Sequence, residues 1–253
     1  MFELRDISKR HGGREVLGID RLSLGQDGVT AILGQNGSGK STLMSLLARQ
    51  ARPDTGEVRL GDAPIGVPGQ RAFARQVAYL PQRLPAVPGL TVRELAGLGR
   101  FAWRGAFGRW DDTDRDAVTA GLRETGVAGF ADALADDLSG GERQRAWIAM
   151  LLAQDAPLLL LDEPTAALDL AHAYEVMDLL RRTSRERDRQ VIVVLHDVNL
   201  AARFADRILA LRAGRVTFDG PPTAFLAPDT LRALYDIDMA LIDGPSGPVA
   251  VVA

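Results

Sequence analysis

The chain has no cysteine among its 253 residues. Disulfides and thiolate-held zinc are therefore excluded, and the fold must rest on an apolar core, for which this length suffices. Lysine is almost absent. Only Lys9 and Lys40 occur, so 30 basic residues less two lysines leaves 28 arginines. Basic charge is not in excess either: the net charge is −3 and the pI about 5.7. The electrostatic footprint of a nucleic-acid binder is missing, and no nucleic-acid partner is expected. Long apolar runs are missing too. Nothing approaches the roughly 18 residues that span a bilayer. The start, "MFELRDISKR", lacks the apolar stretch of a secretory signal. The expectation is a chain that stays in a reducing compartment and can at most sit against a protein that crosses the membrane.

What is present is ordinary for a packed domain: 46% hydrophobic and 25% charged residues. "VTAIL", "LLLLDEP" and "VIVVLHD" are short continuous apolar runs, the texture of strands buried on both faces. "EVRLGD", "QVAYLPQ", "ILALRAG" and "RVTFDG" read as further strands. From about residue 90 to 154 the pattern turns helical, in "TVRELAGLGR", "DRDAVTAGLRETGV" and "GERQRAWIAMLLAQ". Helices also fit "LAHAYEVMDLLRRTSRERD" and "NLAARFADR". Strands alternating with helices predict an α/β fold with a mostly parallel sheet and a helical insert. The tail "DGPSGPVAVVA" is rich in glycine and proline and reads as loosely held. The arginine run from Arg181 reads as a solvated helix end. Phe101, Trp103, Phe107 and Trp110 fit either the core of the insert or a surface that grips a membrane partner.

Three stretches carry chemistry. "GQNGSGKS", Gly34 to Ser41, matches the phosphate-loop pattern directly after a strand and before a helix. Its glycines let backbone N–H groups wrap phosphates, and the following helix N-terminus favours the same anion. Gly34, Gln35, Asn36, Gly37, Ser38, Gly39, Lys40, Ser41 and Thr42 are the candidate nucleotide contacts. Lys40 is expected to reach the β- and γ-phosphates and Ser41 to ligate Mg²⁺. "LLLLDEP" delivers two carboxylates at a strand's end, where ligands bind in open α/β sheets. Asp162 is expected to hold Mg²⁺ through water, and Glu163 to act as the base that orients the attacking water. A guanine reader of the Asn-Lys-x-Asp kind is not supported, since the two asparagines, Asn36 and Asn199, are not followed by lysine.

"LSGGERQ", Leu138 to Gln144, has a local explanation: Ser139 and Glu142 form a capping box ahead of a helix. The box does not account for Gly140 and Gly141, which cost helix stability and bare an N-terminus. One phosphate site is already complete, so this second loop is read as serving a nucleotide held by another copy of the chain.

By these residues the chain resembles the ATP-binding subunits of ABC transporters over nearly its whole length. "GQNGSGKST" resembles the Walker A loop, "LSGGERQ" the signature sequence and "LLLLDEP" Walker B. Asp169 in "AALD" falls at the D-loop, Gln82 in "AYLPQ" at the Q-loop and His196 in "VLHD" at the switch histidine. The resemblance implies a P-loop NTPase (RecA-like) core, an antiparallel β subdomain and an inserted α-helical subdomain. The core would comprise 1–89 and 155–235, the helical subdomain 90–154 and the tail 236–253. It further implies ATP with Mg²⁺, and two copies paired head to tail. ATP would lie between one copy's Walker loop and the other's Ser139, Gly140, Gly141 and Glu142, with Asp169 beside it. Gln82 would sense Mg²⁺ and couple to a membrane permease, and His196 would contact the γ-phosphate. An extracytoplasmic binding protein would feed that permease, and the subunit would sit on the cytoplasmic face of the bacterial inner membrane. Where the family stacks adenine on an aromatic, this chain offers His11 before Gly12; an exposed turn histidine is the alternative there.

The longer phrases "TVRELAGLGRFAWRGAFGRW" and "GERQRAWIAMLLAQDAPLLLLDEPTAALDLAH" resemble the ATPases of bacterial iron–siderophore importers, especially the ferric-hydroxamate type. Heme, cobalamin and other metal-chelate importers share "HDVNLAARFAD". ATPases of DNA repair carry long coiled-coil insertions, for which this chain has no heptads, and the translation factors with similar loops carry two cassettes.

Overall fold

Phe2 and Leu4 are buried while Glu3 and Arg5 face outward, the period-two signature of a strand with one wet face. The pattern skips at Asp6, which is left-handed at φ 51, so Ile7 is buried as well. The computed structural model describes residues 1–26, 28–105, 108–244 and 247–253. Two compact units result, Met1–Val67 with Gln190–Ala253, and Pro68–Arg189.

The first unit begins with β1 (Phe2–His11) and β2 (Arg14–Leu24), a hairpin closed at Gly12–Gly13. Then come β3 (Val29–Leu33) and α1 (Lys40–Leu47), followed by β4 (Thr55–Leu60) and β5 (Ala63–Pro64). One antiparallel sheet runs β2-β1-β4-β5. β3 does not join it and is buried along its whole length.

The second unit contains α2 (Gln70–Ala74), β6 (Val77–Leu80), α3 (Val92–Leu98), α4 (Phe101–Arg104), α5 (Asp112–Glu124), α6 (Gly140–Ala153), β7 (Leu158–Asp162) and α7 (Leu170–Arg187). β6 and β7 pair in parallel. Capping boxes start α3 at Thr91 and Glu94 and α5 at Asp111 and Asp114, so orphan N–H groups of both helices are met locally. α6 packs on both helices, and its Ile148, Leu151 and Leu152 are buried. Within this unit Arg100 and Asp114 form a buried pair at 2.8 Å, with side chains 5% and 4% exposed. The Trp103 indole N–H donates to the Gln154 carbonyl at 2.7 Å, so this aromatic is anchored although partly exposed. Trp110 remains on the surface under Arg104, 4.1 Å from its ring centre, and Phe101 is exposed. Phe107 lies outside the described residues. The arginine run is only partly solvated: Arg182 pairs with Asp178, Arg187 with Glu124, and Arg189 is buried against Asp155.

The chain then returns to the first unit with β8 (Gln190–Val194), α8 (Val198–Phe204), β9 (Arg207–Arg212), β10 (Arg215–Gly220), α9 (Pro222–Phe225), α10 (Pro228–Tyr235), β11 (Met239–Gly244) and β12 (Gly247–Val252). Here β8, β3 and β9 lie side by side in parallel, and β10 pairs antiparallel to β9. The tail differs from the loose segment expected. β11 and β12 pair over Met239–Gly244 and Gly247–Val252, and Ala250 is 4% exposed. Among the described residues no helix is long and apolar enough to cross a membrane.

Candidate functional site

β3 ends at Leu33, and the chain must then turn sharply into α1. Gly34 takes φ 149, and a Cβ there would stand 2.2 Å from the Leu211 carbonyl oxygen and 2.6 Å from Ser38 Oγ. Gly39, at φ 104, would place a Cβ 2.9 Å from the Val16 carbonyl oxygen. Only glycine fits either position without moving backbone. The loop is fastened from outside as well: Gly214 N–H donates to the Ser38 carbonyl at 3.0 Å. Lys40 is 5% exposed, and its ammonium donates to the carbonyls of Gly34 at 2.8 Å and Gln35 at 3.1 Å. Gln35, Asn36 and Gly37 are exposed on the rim, as is Ser41 in the first turn of α1; Thr42 is half-buried. No side chain caps α1, so its first-turn N–H groups are left for another acceptor. The Ser38 hydroxyl is buried with no hydrogen-bond partner among the described residues, which points to the same acceptor.

His196 belongs to this unit. β3 and β8 are in register at Ile32 and Val194, so two residues further on Gly34 and His196 stand level at the carboxyl ends of neighbouring parallel strands. His196 is exposed there, and Asp197 caps α8 by accepting from the N–H groups of Asn199 at 2.7 Å and Leu200 at 2.9 Å. His11 lies exposed at the end of β1, opposite Arg14 across the hairpin turn.

In the second unit, Leu80 of β6 is level with Leu161 of β7. The same two-residue step brings Gln82 to Glu163, and the Gln82 amide donates to Glu163 Oε2 at 2.6 Å. Glu163 is left-handed at φ 54, a conformation that costs a non-glycine residue energy and turns the chain sharply at the strand's end. Asp162 just before it is 4% exposed. Burial, with the Asp162 charge as second cause, pushes the Tyr79 phenol up to about 12.

The Ser-Gly-Gly loop opens α6. Ser139 Oγ accepts from Glu142 N–H at 3.4 Å, while Glu142 Oε2 accepts from the Ser139 hydroxyl at 2.6 Å and its N–H at 2.9 Å. These bonds, the hydroxyl's first, hold the Glu142 carboxyl below its ordinary value. The capping box is therefore real, but it explains Ser139 and Glu142 only. A Cβ on Gly140 would meet nothing within 4 Å, and Gly140 is not left-handed. Neither conformation nor packing among the described residues requires glycine there. A Cβ on Gly141 would touch Leu168 Cδ2 at 3.4 Å, so the residue before Asp169 abuts the signature loop.

Asp169 caps α7. Its Oδ1 accepts from His172 N–H at 2.9 Å and its Oδ2 lies 2.8 Å from His172 Nδ1. The backbone bond first, then the ring, holds the Asp169 carboxyl below its ordinary value. His172 is a residue the motif reading missed; the Asp-x-x-His spacing at a helix start is the local signal for it. Gln35 and Asn199 were likewise read without the side-chain bonds they make, to Leu234 and Ala250.

Among the described residues no group of three or more His, Cys, Asp or Glu could cage a metal. Within the second unit, the Gln82 amide and the Asp162 carboxylate are oxygen donors of the kind that suits a hard cation such as Mg²⁺.

The family described as ABC transporter matches residues 18–166. The iron(3+)-hydroxamate import ATP-binding protein FhuC of Bacillus subtilis (strain 168) is 41% identical over 235 residues, covering 93% of this chain and 87% of that protein. The hemin import ATP-binding protein HmuV of Streptomyces coelicolor is 43% identical over 243 residues, covering 95% and 85%. Among solved structures, the dimeric ATP-binding cassette MJ0796 in a post-hydrolysis state with ADP and Pi is 29% identical with a TM-score of 0.78, covering 88% of this chain and 99% of that one.

Proposed function

The chain belongs to the ABC transporter family, and from that membership we propose that it is the ATP-hydrolysing subunit of a ferric-chelate importer, with ferric hydroxamates as the first cargo class. It works as two copies paired head to tail on a membrane-spanning permease, which an extracytoplasmic binding protein supplies. The observation that carries the pairing is Gly140: a helix-opening glycine that nothing among the described residues demands leaves backbone N–H groups for a phosphate brought by another copy. The dimeric, nucleotide-bound cassette among the similar structures supports the same reading.

In this account the backbone of Gly34–Thr42 and the Lys40 ammonium bind the phosphates, and His196 donates to the γ-phosphate. Glu163 orients the attacking water and takes its proton as the water oxygen bonds to phosphorus and the bond to the β-phosphate oxygen breaks. Ser41, Asp162 and Gln82 are the residues that would hold Mg²⁺, which neutralises charge developing on the phosphates. The 2.6 Å bond between Gln82 and Glu163 implies that Gln82 must release the base when it turns to the metal. Asp169 and Ser139 complete the partner's half of each site, and His11 contributes a modest stacking surface for adenine.

The cargo assignment rests on the hydroxamate and hemin importers at 41% and 43% identity. The second of these favours hemin as the alternative. Reconstitution with the cognate permease and binding protein discriminates. Ferric hydroxamate should raise ATP turnover and accumulate inside; stimulation by hemin alone reassigns the cargo, and stimulation by neither rejects the hydroxamate assignment.

A further inference from the structure

The described residues of the C-terminal segment, 228–244 and 247–253, touch the site-bearing edge of the first unit in three places. The carbonyls at the end of a helix lack intrahelical donors. At the end of α10 the Leu234 carbonyl receives the Gln35 side-chain amide at 3.1 Å, from within the phosphate loop itself. Arg212, the last residue of β9, donates to the Ala233 carbonyl and holds both Asp236 oxygens at 2.8 Å. Further on, the Asn199 side chain treats β12 as a neighbouring strand would: its amide donates to the Ala250 carbonyl at 3.0 Å and its oxygen accepts from Ala250 N–H at 2.8 Å. A carboxamide has the donor and acceptor of a peptide group, so it can close the open edge of a two-stranded sheet that would be marginal alone. Asn199 sits in the first turn of α8, three residues after His196. The half-buried Tyr235 phenol at the end of α10 is pushed up to about 12 by burial and then by the charge of Asp197, the residue that caps α8.

These contacts fall at the carboxyl ends of β3, β8 and β9, where the phosphate loop and His196 emerge. We propose that residues 228–253 are a brace across this edge, and that Gln35 and Asn199 are the positioning residues through which it holds the phosphate loop and the His196 turn. The consequence for the reaction rests on the reading of those two segments as phosphate contacts. The expected phosphate contacts lie outside the brace, in the two segments it fixes. Losing its β11–β12 part, which holds the His196 turn, therefore slows turnover rather than weakening binding, because the misplaced group is the one needed in the transition state.

The test uses the full chain, Asn199→Ala, a chain ending at Asp236, and the combination. Two readings are taken on each: amide hydrogen exchange of segments 34–42 and 195–204, and kcat and KM for ATP with the permease present. Asn199→Ala and the truncation should each speed exchange in 195–204 and lower kcat by about three- to tenfold at unchanged KM. The combination should be no worse than the truncation alone, because Asn199 then has nothing left to hold. Gln35→Ala should speed exchange in 34–42 instead, and should add to the truncation, which leaves α10 in place. If the shortened chain does not fold, Asn199→Ala, which deletes one side chain, decides alone. Unchanged exchange in 195–204, or a double variant whose losses multiply, overturns the brace. Exchange that shifts as described in a chain that hydrolyses no ATP leaves the brace standing and rejects the ATPase reading of the site.

Discussion

Gly140→Ala should make the protein more stable and the enzyme worse. Gly140 is the first residue of α6, not left-handed, and an added methyl meets no atom within 4 Å. Nothing is strained by the change, and the unfolded chain loses freedom. Alanine exceeds glycine in a helix by roughly 0.5–1 kcal/mol, with the lower end appropriate to a first turn. For a chain of this size about 0.5 kcal/mol raises Tm by about 1–2 °C. In the proposed head-to-tail pairing the same methyl stands where the partner's phosphate approaches bare backbone. A displacement that costs about 1.4 kcal/mol in the transition state lowers turnover about tenfold. Gly34→Ala is the contrast. Its Cβ would lie 2.2 Å from the Leu211 carbonyl oxygen, so stability and turnover should fall together. Melting curves and phosphate release with the permease present measure both quantities. Full turnover in Gly140→Ala alongside a raised Tm would refute the argument that this glycine is kept for a nucleotide.

Further outcomes follow from the same geometry. Glu163→Gln keeps the shape of the side chain but cannot take a proton, so ATP should still bind while steady hydrolysis falls at least about a hundredfold; near-normal turnover removes Glu163 as the base. Asp114→Ala leaves the Arg100 guanidinium charged and buried without its partner, and urea titration should show a loss of about 3–5 kcal/mol. A loss under about 1 kcal/mol would mean the pair behaves like a surface one. Tyr79 and Tyr235 both have phenols raised to about 12 by burial. The unfolded chain ionises them near pH 10, so it binds fewer protons than the folded chain between about pH 10 and 12, and stability should fall across that window. Tyr79→Phe and Tyr235→Phe should each flatten the fall; an unchanged slope in both would show that neither phenol is responsible.

The motifs were legible because each pairs a residue type with a backbone demand. Glycines at Gly34 and Gly39 announce a turn that no other residue fits, and the apolar runs before Gly34, Glu163 and His196 are strands buried on both faces. The C-terminal segment was not legible, and the reason is local. Pro222 and Pro228 stand at the first helical position, where the missing N–H costs nothing, and α9 and α10 follow them without any apolar period long enough to announce a helix. The glycines and prolines around β11 and β12 suggested a loose tail, whereas Asn199, distant in sequence, closes the free edge. Arg189 looked like part of a solvated run, yet it turns inward to Asp155, a partner 34 residues earlier. Trp103 shows why aromatic composition could not decide between core and surface: one edge is exposed and the indole N–H is fastened to Gln154. His172 was hidden because a capping Asp-x-x-His is short and common, and only its place beside the signature loop gives it weight.

The central claim is that each nucleotide is shared between two copies, and a mixed dimer tests it most directly. One copy carries Lys40→Ala and the other Ser139→Arg. Head-to-tail pairing puts both lesions in one site and leaves the other intact, so photolabelling with an ATP analogue followed by single-turnover hydrolysis should find one normal site and one dead one. Two sites impaired alike would mean that Ser139 acts on the nucleotide of its own chain, and the shared-site account would fail.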